Sequence, residues 1–380
     1  MGGSPSSVAE FRDQARAALP RLVFDYLDGG AEDEVALRGN LASWDRVRLV
    51  PRVGRDVAGR SAEVSLWDEA WSMPFGIAPT GLANLARPGA DEAIAGAALA
   101  ARVPFVLSTT ATTSIETIAR IDPRAWFQIY MPAKRTVGLD LLRRAREAGA
   151  KVLVVTLDVP APGKRERDLR NGFALPFRIG PRFALDCALH PAWAWRAVRA
   201  GPPRFASLEP YLPKGAGAQS LAAFMAQQIT ADLAWDEVAR LRDAWPGRIV
   251  AKGVLDPGDV AEAARLGLDG VWLSNHGGRQ LGLAVDPLSM LPAAVAAAGA
   301  MKVLVDGGVR RGSHIAAALA LGASFVFAGR PTLYGVAAGG REGAKRVIEI
   351  LRGEFLQTLG LLGARSPAEL EPGMVRLAPS

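Results

Sequence analysis

Hydrophobic residues change their spacing once along this chain, near residue 73. Before that point they recur every three or four positions, which predicts helices over Val8–Ala18, Leu22–Leu27 and Glu32–Leu41, separated by Pro20 and the Gly29-Gly30 pair. From Met73 onward short, nearly continuous apolar runs begin at Phe75, Phe105, Trp126, Val152, Arg248, Gly270, Val303 and Phe325. Most are followed by polar or glycine residues and then an alanine-rich helical stretch, such as Asp91–Ala101, Leu139–Ala148, Pro257–Leu266 and Ser313–Leu321. Strands that are apolar on both faces and alternate with helices belong to a parallel sheet covered by those helices. Eight such units predict an α/β fold, a (β/α)8 TIM barrel, with residues 1–380 as a single unit and 1–72 as a helical extension. A doubly wound sheet is the alternative, but no GxGxxG opens a helix anywhere in the chain.

The rhythm fails once. About ninety residues separate strand four, ending near Asp158, from strand five, near Arg248. Residues 172–222 of this interval mix arginines with Phe173, Phe177, Phe183, Trp193, Trp195 and Phe205. An excursion this long is usually functional or disordered, and the aromatic content argues for function. It also locates the charge. Between Gly163 and Arg204 nine basic residues face three acidic ones, so almost all of the formal +7 lies in one segment.

Composition narrows the chemistry further. One cysteine, Cys187, excludes an internal disulfide and a cysteine-based zinc site. Three scattered histidines, His190, His276 and His314, argue against a multi-histidine metal centre. No apolar run approaches the ~20 residues of a membrane span, and the N-terminus shows no secretory h-region. A basic nucleic-acid binder is suggested by pI alone, and the charge does not follow any recognisable nucleic-acid module.

In a barrel of this kind the C-terminal strand ends face the active site. Read in order they are Pro79, Thr80 and Gly81; Ser108 and Thr110; Gln128 and Tyr130; Thr156 and Asp158; Lys252; Ser274, His276 and Arg279; Asp306 and Arg310; Gly329 and Arg330. Each alone is an ordinary surface or capping residue, but eight in register point to one site. The last two loops set glycine beside arginine, at Gly307, Gly308 and Arg310 and again at Gly329 and Arg330, where barrels often hold phosphate. A phosphate-bearing cofactor anchored there would cross the barrel mouth, with Lys252 and Gln128 at its ring system and His276 at its reactive side. A flavin mononucleotide fits that description, and a colourless, non-redox phosphate-binding barrel enzyme is the alternative.

The motifs "FDYLDGGAEDE", "SMPFGIAPTGL", "PFVLSTT", "WFQIY", "TLDVPAPGKRERDLRNGF", "AKGVLDPGDV", "SNHGGRQL", "VDGGVRRGSHI" and "AGRPTLYG" occur in this order over nearly the full length. The chain thereby resembles the FMN-dependent L-2-hydroxy acid oxidases and dehydrogenases, a family that includes glycolate oxidase, L-lactate dehydrogenase and L-mandelate dehydrogenase. The resemblance implies FMN as cofactor and His276 as the base, with the proton coming from carbon or from the hydroxyl. Asp158 would stabilise the imidazolium, and Arg279 and Arg165 would clamp the substrate carboxylate. Tyr26 and Tyr130 would bind the carboxylate and the developing carbonyl. Lys252 would sit by flavin N1 and O2; Thr80, Ser108, Gln128 and Thr156 would bind the ring, Asp306 the ribityl chain, and Arg310 and Arg330 the phosphate. Pro79, Gly81, Ser274, Gly307, Gly308 and Gly329 complete the implied cofactor site.

The same resemblance bears on subtype. Gly81 is similar to the membrane-type mandelate and lactate dehydrogenases, and Thr110 replaces a bulkier residue, suggesting room for a larger substrate. The insertion is similar in kind to one that docks such enzymes to a bilayer, and arginine with tryptophan suits a membrane interface, with an active-site lid of basic surface as the alternative. The expectation is therefore a cytoplasmic homotetramer, peripheral on the inner face of the cell membrane. It would oxidise a mandelate-like L-2-hydroxy acid and pass electrons to a quinone or other membrane carrier. L-Lactate as substrate and oxygen as acceptor are the alternatives. His314 reads as structural and His190 as exposed or membrane-facing.

Overall fold

A computed structural model describes residues 4–173, 180–212 and 232–378. Eight strands form the central sheet: β1 (Phe75–Ile77), β2 (Val106–Ser108), β3 (Trp126–Ile129), β4 (Val152–Thr156), β5 (Arg248–Val254), β6 (Gly270–Leu273), β7 (Lys302–Val305) and β8 (Phe325–Ala328). Each is parallel to its neighbours in chain order, and β8 returns to pair with β1 through Val326–Phe75, Phe327–Gly76 and Ala328–Ile77. A single parallel bridge, Ile77–Phe105, closes the seam between β1 and β2. The result is a TIM barrel, and the eight strand starts agree with the apolar runs to within a residue.

Why these runs become strands follows from burial on both faces. Trp126, Val154, Val250, Trp272, Leu304, Phe325 and Phe327 fill the barrel interior, while alternate residues such as Phe127, Val155, Val271 and Val305 pack outward beneath the helices. Gly76 leaves space for the Phe327 ring, which a Cβ there would overlap. A hairpin of Val64–Leu66 and Glu69–Trp71 plugs the lower end with Leu66 and Trp71. The first 72 residues are thus not wholly helical.

Three helices precede that hairpin: α1 (Val8–Ala18), α2 (Arg21–Asp28) and α3 (Val35–Asp45). Strand Val47–Leu49 then pairs antiparallel with Val375–Leu377, so the segment that follows α3 is tied to the C-terminal end of the described residues. Residues Arg330–Leu361 form two helices that meet at Gly340, where φ is 61°. Gly335 and Gly343 face each other across that bend so closely that a Cβ on either would strike the other's backbone.

The interval between β4 and β5 contains four described α-helices, Glu166–Arg170, Pro181–Leu189, Pro191–Ala200 and Trp235–Ala244. It is anchored to the barrel, since Trp193 is buried and its indole N–H donates to the Leu85 carbonyl at 2.9 Å. Phe205 and Leu208 are also buried. Phe177 and residues 213–222 of the predicted insertion lie outside the described residues.

Candidate active site

At the C-terminal end of the barrel one cavity is lined by Tyr26, Pro79, Thr80, Gly81, Tyr130, Thr156, Lys252, His276, Arg279, Asp306, Gly307, Gly308, Arg310, Gly329 and Arg330. Gln128 and Ser274 lie buried one hydrogen bond behind this wall, and Ser108 one bond further. Ser108 donates to Gln128 Oε1 at 3.0 Å, and Gln128 Nε2 donates to Thr156 Oγ1 at 2.9 Å, linking β2, β3 and β4. Lys252 Nζ donates to Ser274 Oγ at 2.9 Å and lies 3.3 Å from Asp306 Oδ2.

His276 is held from both ring nitrogens. Nδ1 lies 3.1 and 3.2 Å from the two Asp158 oxygens, and Nε2 lies 3.1 Å from the Tyr130 hydroxyl. A carboxylate can only accept from Nδ1, so that nitrogen carries the proton and the Nε2 lone pair accepts from the Tyr130 hydroxyl at the cavity wall. Burial pushes the Asp158 carboxyl up, but the facing imidazole and Lys252 outweigh it and hold it below its ordinary range. Burial, reinforced by the Asp158 charge, raises Tyr130, which therefore stays protonated and acts as a donor.

The turn bearing this histidine is strained: φ is 59° at His276, 64° at Gly277 and 74° at Gly278. Three consecutive left-handed residues suit glycine at the last two positions, and His276 adopts the conformation at a cost. What holds it is a contact that sequence reasoning missed. Asn40 of α3 and Asn275 exchange a pair of amide hydrogen bonds, both 2.7 Å, while Asn275 Oδ1 also accepts from Gly278 N–H at 3.0 Å. The only signal in the sequence is an asparagine on the buried stripe of α3 shared with Ala36, Leu37, Ser43 and Trp44. The same helix braces the next loop, because Trp44 Nε1 donates to the Gly307 carbonyl at 2.9 Å and a Cβ at Gly308 would overlap the Asn40 carbonyl.

Two arginines tie α2 over the cavity. Arg279 Nη1 donates to the carbonyls of Tyr26 at 2.7 Å and Gly29 at 3.0 Å, with its guanidinium 5.0 Å from the Tyr26 ring. Arg330 donates to Leu27, Gly277 and Gly29 carbonyls at 3.1, 2.9 and 2.8 Å. The last carbonyls of a helix have no intrahelical partner and carry its negative partial charge, so cations collect there. Burial lowers both guanidinium pKa values, that of Arg330 to about 10. Arg330 therefore lines the cavity with its donors turned to carbonyls, whereas among the described residues the Arg310 guanidinium donates from Nη1 alone, to Val309 O at 2.8 Å. Arg165 is not in the cavity wall and its Nε donates to Asp168 at 2.8 Å.

At the C-terminal end of α2, Asp28 is a buried carboxylate that the sequence did not single out. It accepts from Arg12 at 2.7 and 2.8 Å, from the Tyr334 hydroxyl at 2.7 Å and from Arg167 at 3.2 Å. Burial pushes its pKa up, but Arg12 and Tyr334 overcome this and hold it at about 2.

Other expectations need correcting. His190 is half-buried, not exposed: it closes helix Pro181–Leu189, with Nδ1 2.7 Å from the Asp186 carbonyl. Thr110 does not line the cavity; its hydroxyl contacts Ser108 at 3.0 Å and abuts the Cα of Gly81. His314 is structural in its contacts, stacked on Trp44 at 4.6 Å, and burial lowers its pKa to about 4.

Do these residues suit a flavin nucleotide? Among the described residues Asp306 Oδ1 is buried with no hydrogen-bond partner, while Oδ2 accepts from Trp272 at 3.1 Å. An unpaired buried carboxylate oxygen in a cavity wall calls for a donor such as a sugar hydroxyl. Gly307 and Gly308 beside Arg310 supply the backbone and charge a phosphate needs. Four cations, Lys252, Arg279, Arg310 and Arg330, outnumber Asp306 in the lining, so the ligands are anionic.

The sequence matches the family described as FMN-dependent dehydrogenase over residues 15–377. It is 40% identical to the (S)-mandelate dehydrogenase of Pseudomonas putida over 367 residues, covering 96% of this chain and 92% of that protein. It is 39% identical to an L-lactate dehydrogenase of Caulobacter vibrioides, over 96% of both chains. Its structure is similar to that of the monotopic membrane protein (S)-mandelate dehydrogenase, with a TM-score of 0.95 at 38% identity, covering 99% of this chain and 100% of the other. A mandelate oxidase structure is similar at a TM-score of 0.82 and 33% identity, covering 99% and 100%.

Proposed function

The chain belongs to the FMN-dependent dehydrogenase family and is an FMN-dependent 2-hydroxy acid dehydrogenase, and on that premise we propose that it oxidises a mandelate-like L-2-hydroxy acid with His276 as the base. The observation that carries this reading is the Asp158–His276–Tyr130 chain, facing the same cavity as Arg279. Asp158 fixes the tautomer and compensates the charge that His276 gains when Nε2 takes a proton from the substrate. Arg279 meets the substrate carboxylate, joined by Tyr26, and Arg165 lies close enough to act on the charge of Arg279. Tyr130, kept protonated, donates to the oxygen at C2 as it becomes a carbonyl.

FMN, when bound, supplies the acceptor for the electron pair leaving C2. Asp306 would take its ribityl hydroxyls, and Gly307, Gly308 and Arg310 its phosphate. Arg330 and Gly329 border the same place, with Arg330 available once its carbonyl contacts are exchanged. Lys252 would oppose negative charge on the reduced ring, and Gln128, Ser108, Thr156, Thr80, Pro79, Gly81 and Ser274 would line its bed.

A mandelate-like substrate is favoured by the similarity to mandelate dehydrogenase in both sequence and structure; the lactate dehydrogenases among the relatives support L-lactate as the second reading. Peripheral attachment to a membrane, with electrons passing to a quinone-type carrier, is supported by the exposed Leu185, Leu189, Trp195 and Val198 on the insertion helices. No helix among the described residues is long and apolar enough to cross a membrane. The test is anaerobic bleaching of the bound flavin by (S)-mandelate and L-lactate, followed by reoxidation with oxygen or a soluble quinone. Faster bleaching by (S)-mandelate and reoxidation by quinone are expected. Bleaching by lactate alone, or stoichiometric hydrogen peroxide, would replace the substrate or the acceptor assignment respectively.

A further inference from the structure

A second cleft, of about 760 Å³, opens between α1, α2 and the insertion, away from the barrel mouth. Arg12, Arg16, Arg21, Arg167 and Arg170 contribute five positive charges to its lining, against Asp25 and Asp186. The two carboxylates are already engaged. Asp25 accepts from Asn171 at 2.8 Å and Arg21 at 3.3 Å, and Asp186 accepts from the Arg21 backbone N–H at 2.6 Å. Arg12 and Arg167 are committed to Asp28. That leaves Arg16 with no ion pair among the described residues and Arg170 with one long contact, 3.8 Å to Glu166. A cleft with surplus guanidinium groups and no free carboxylate has the electrostatics of an anion site, and guanidinium forks match phosphate oxygens.

The surroundings say which phosphate. Asp186 and His190 line the cleft from helix Pro181–Leu189, and on the same helix Leu185 and Leu189 are 65% and 71% exposed. Leu169, beside Arg170, is 64% exposed. Apolar side chains this exposed, flanking an arginine cleft, suit a molecule with a phosphate head and a hydrocarbon tail better than a free anion. We propose that this cleft grips the headgroup of an anionic phospholipid, with the leucines of the adjoining helix in the acyl region. The proposal rests on the membrane-attachment reading above and gives it a defined point of contact, built partly by the N-terminal helices and not by the insertion alone.

The experiment is co-sedimentation of the FMN-loaded enzyme with vesicles of phosphatidylcholine alone or mixed with phosphatidylglycerol, at 0.15 M salt. Arg16→Gln/Arg170→Gln is compared with Arg199→Gln/Arg204→Gln, an equal charge change outside the cleft. The cleft pair should weaken binding to the mixed vesicles on the order of thirtyfold, at roughly a factor of five per basic residue near a charged surface. The control pair should lose much less, and flavin reduction by substrate in solution should be unaltered in both. Equal losses from the two pairs would mean a diffuse field and overturn the cleft. Displacement of the wild-type enzyme by inorganic phosphate at millimolar concentration would replace lipid with free anion. If the wild type binds neither vesicle, the attachment reading fails as well; if it binds and the cleft pair binds equally, only the present proposal fails.

Discussion

Replacing Asp28 by asparagine keeps its shape and removes its charge, and the expected cost can be worked out. The folded-state pKa of about 2 stands against an ordinary value of 3.8, and the side chain is buried, so solvent screening removes little of the effect. At 1.36 kcal/mol per unit the difference corresponds to about 2.5 kcal/mol of stability at neutral pH. Because the folded pKa is the lower one, this stabilisation is present in full above the unfolded value and is lost as pH falls through about 2. Roughly half of it remains at pH 3 by the same linkage. Urea unfolding of wild type and Asp28→Asn, followed by tryptophan fluorescence, should show a gap of about 2.5 kcal/mol at pH 7 that narrows toward pH 3. A gap below about 0.5 kcal/mol at pH 7, or one that does not change with pH, would refute the argument that the carboxylate charge holds α2 in place.

His276→Ala is expected to give a folded, yellow protein whose flavin is hardly reduced by substrate; rapid anaerobic bleaching in that variant would remove the base assignment. Gly81→Ala forces Thr110 away from Ser108 and thereby disturbs the bond from Ser108 to Gln128, so FMN binding should weaken and Thr110→Ala should restore it. Titration of the apoprotein with FMN checks this, and equal affinity in Gly81→Ala would count against the relay. Asn40→Ala leaves the Asn275 amide short of a partner, at a cost of about 1–3 kcal/mol. Because it also releases the strained turn, substrate reduction of the bound flavin should slow; a loss of stability with an unchanged reduction rate would confine Asn40 to the scaffold.

The barrel was legible because its strands are buried on both faces, which leaves an uninterrupted apolar run at each one from Phe75 to Phe325. The strand-end residues followed from that register, since β4 ending at Thr156 and β6 at Leu273 dictates that Asp158 and His276 sit at the mouth. Contacts between distant segments were not legible. Asn40 and Asn275 are 235 positions apart, and Asp28 and Tyr334 are 306 apart, so nothing local marks either pair. Tyr26 reads from sequence alone as a core residue of the N-terminal helices, and only the geometry sets its ring between Phe173 and Arg279. The half-burial of His190 was not legible either, although its partner, the Asp186 carbonyl, is only one helical turn away.

The bonds from Arg330 to the carbonyls of Leu27 and Gly29 span 303 and 301 positions, and they set a timetable for biosynthesis. At about 5–20 residues per second, α2 leaves the ribosome roughly 15–60 seconds before the arginine that fastens it exists. Through that interval the buried side of α2, with Leu22, Val23, Phe24 and Leu27, has no completed barrel to rest on. Any chain stopped before β8 lacks both the anchor and the part of the cavity wall formed by Ala328, Gly329, Arg330 and Leu333. Flavin capture therefore belongs to the end of synthesis, and yellow colour in a growing culture would report finished chains alone.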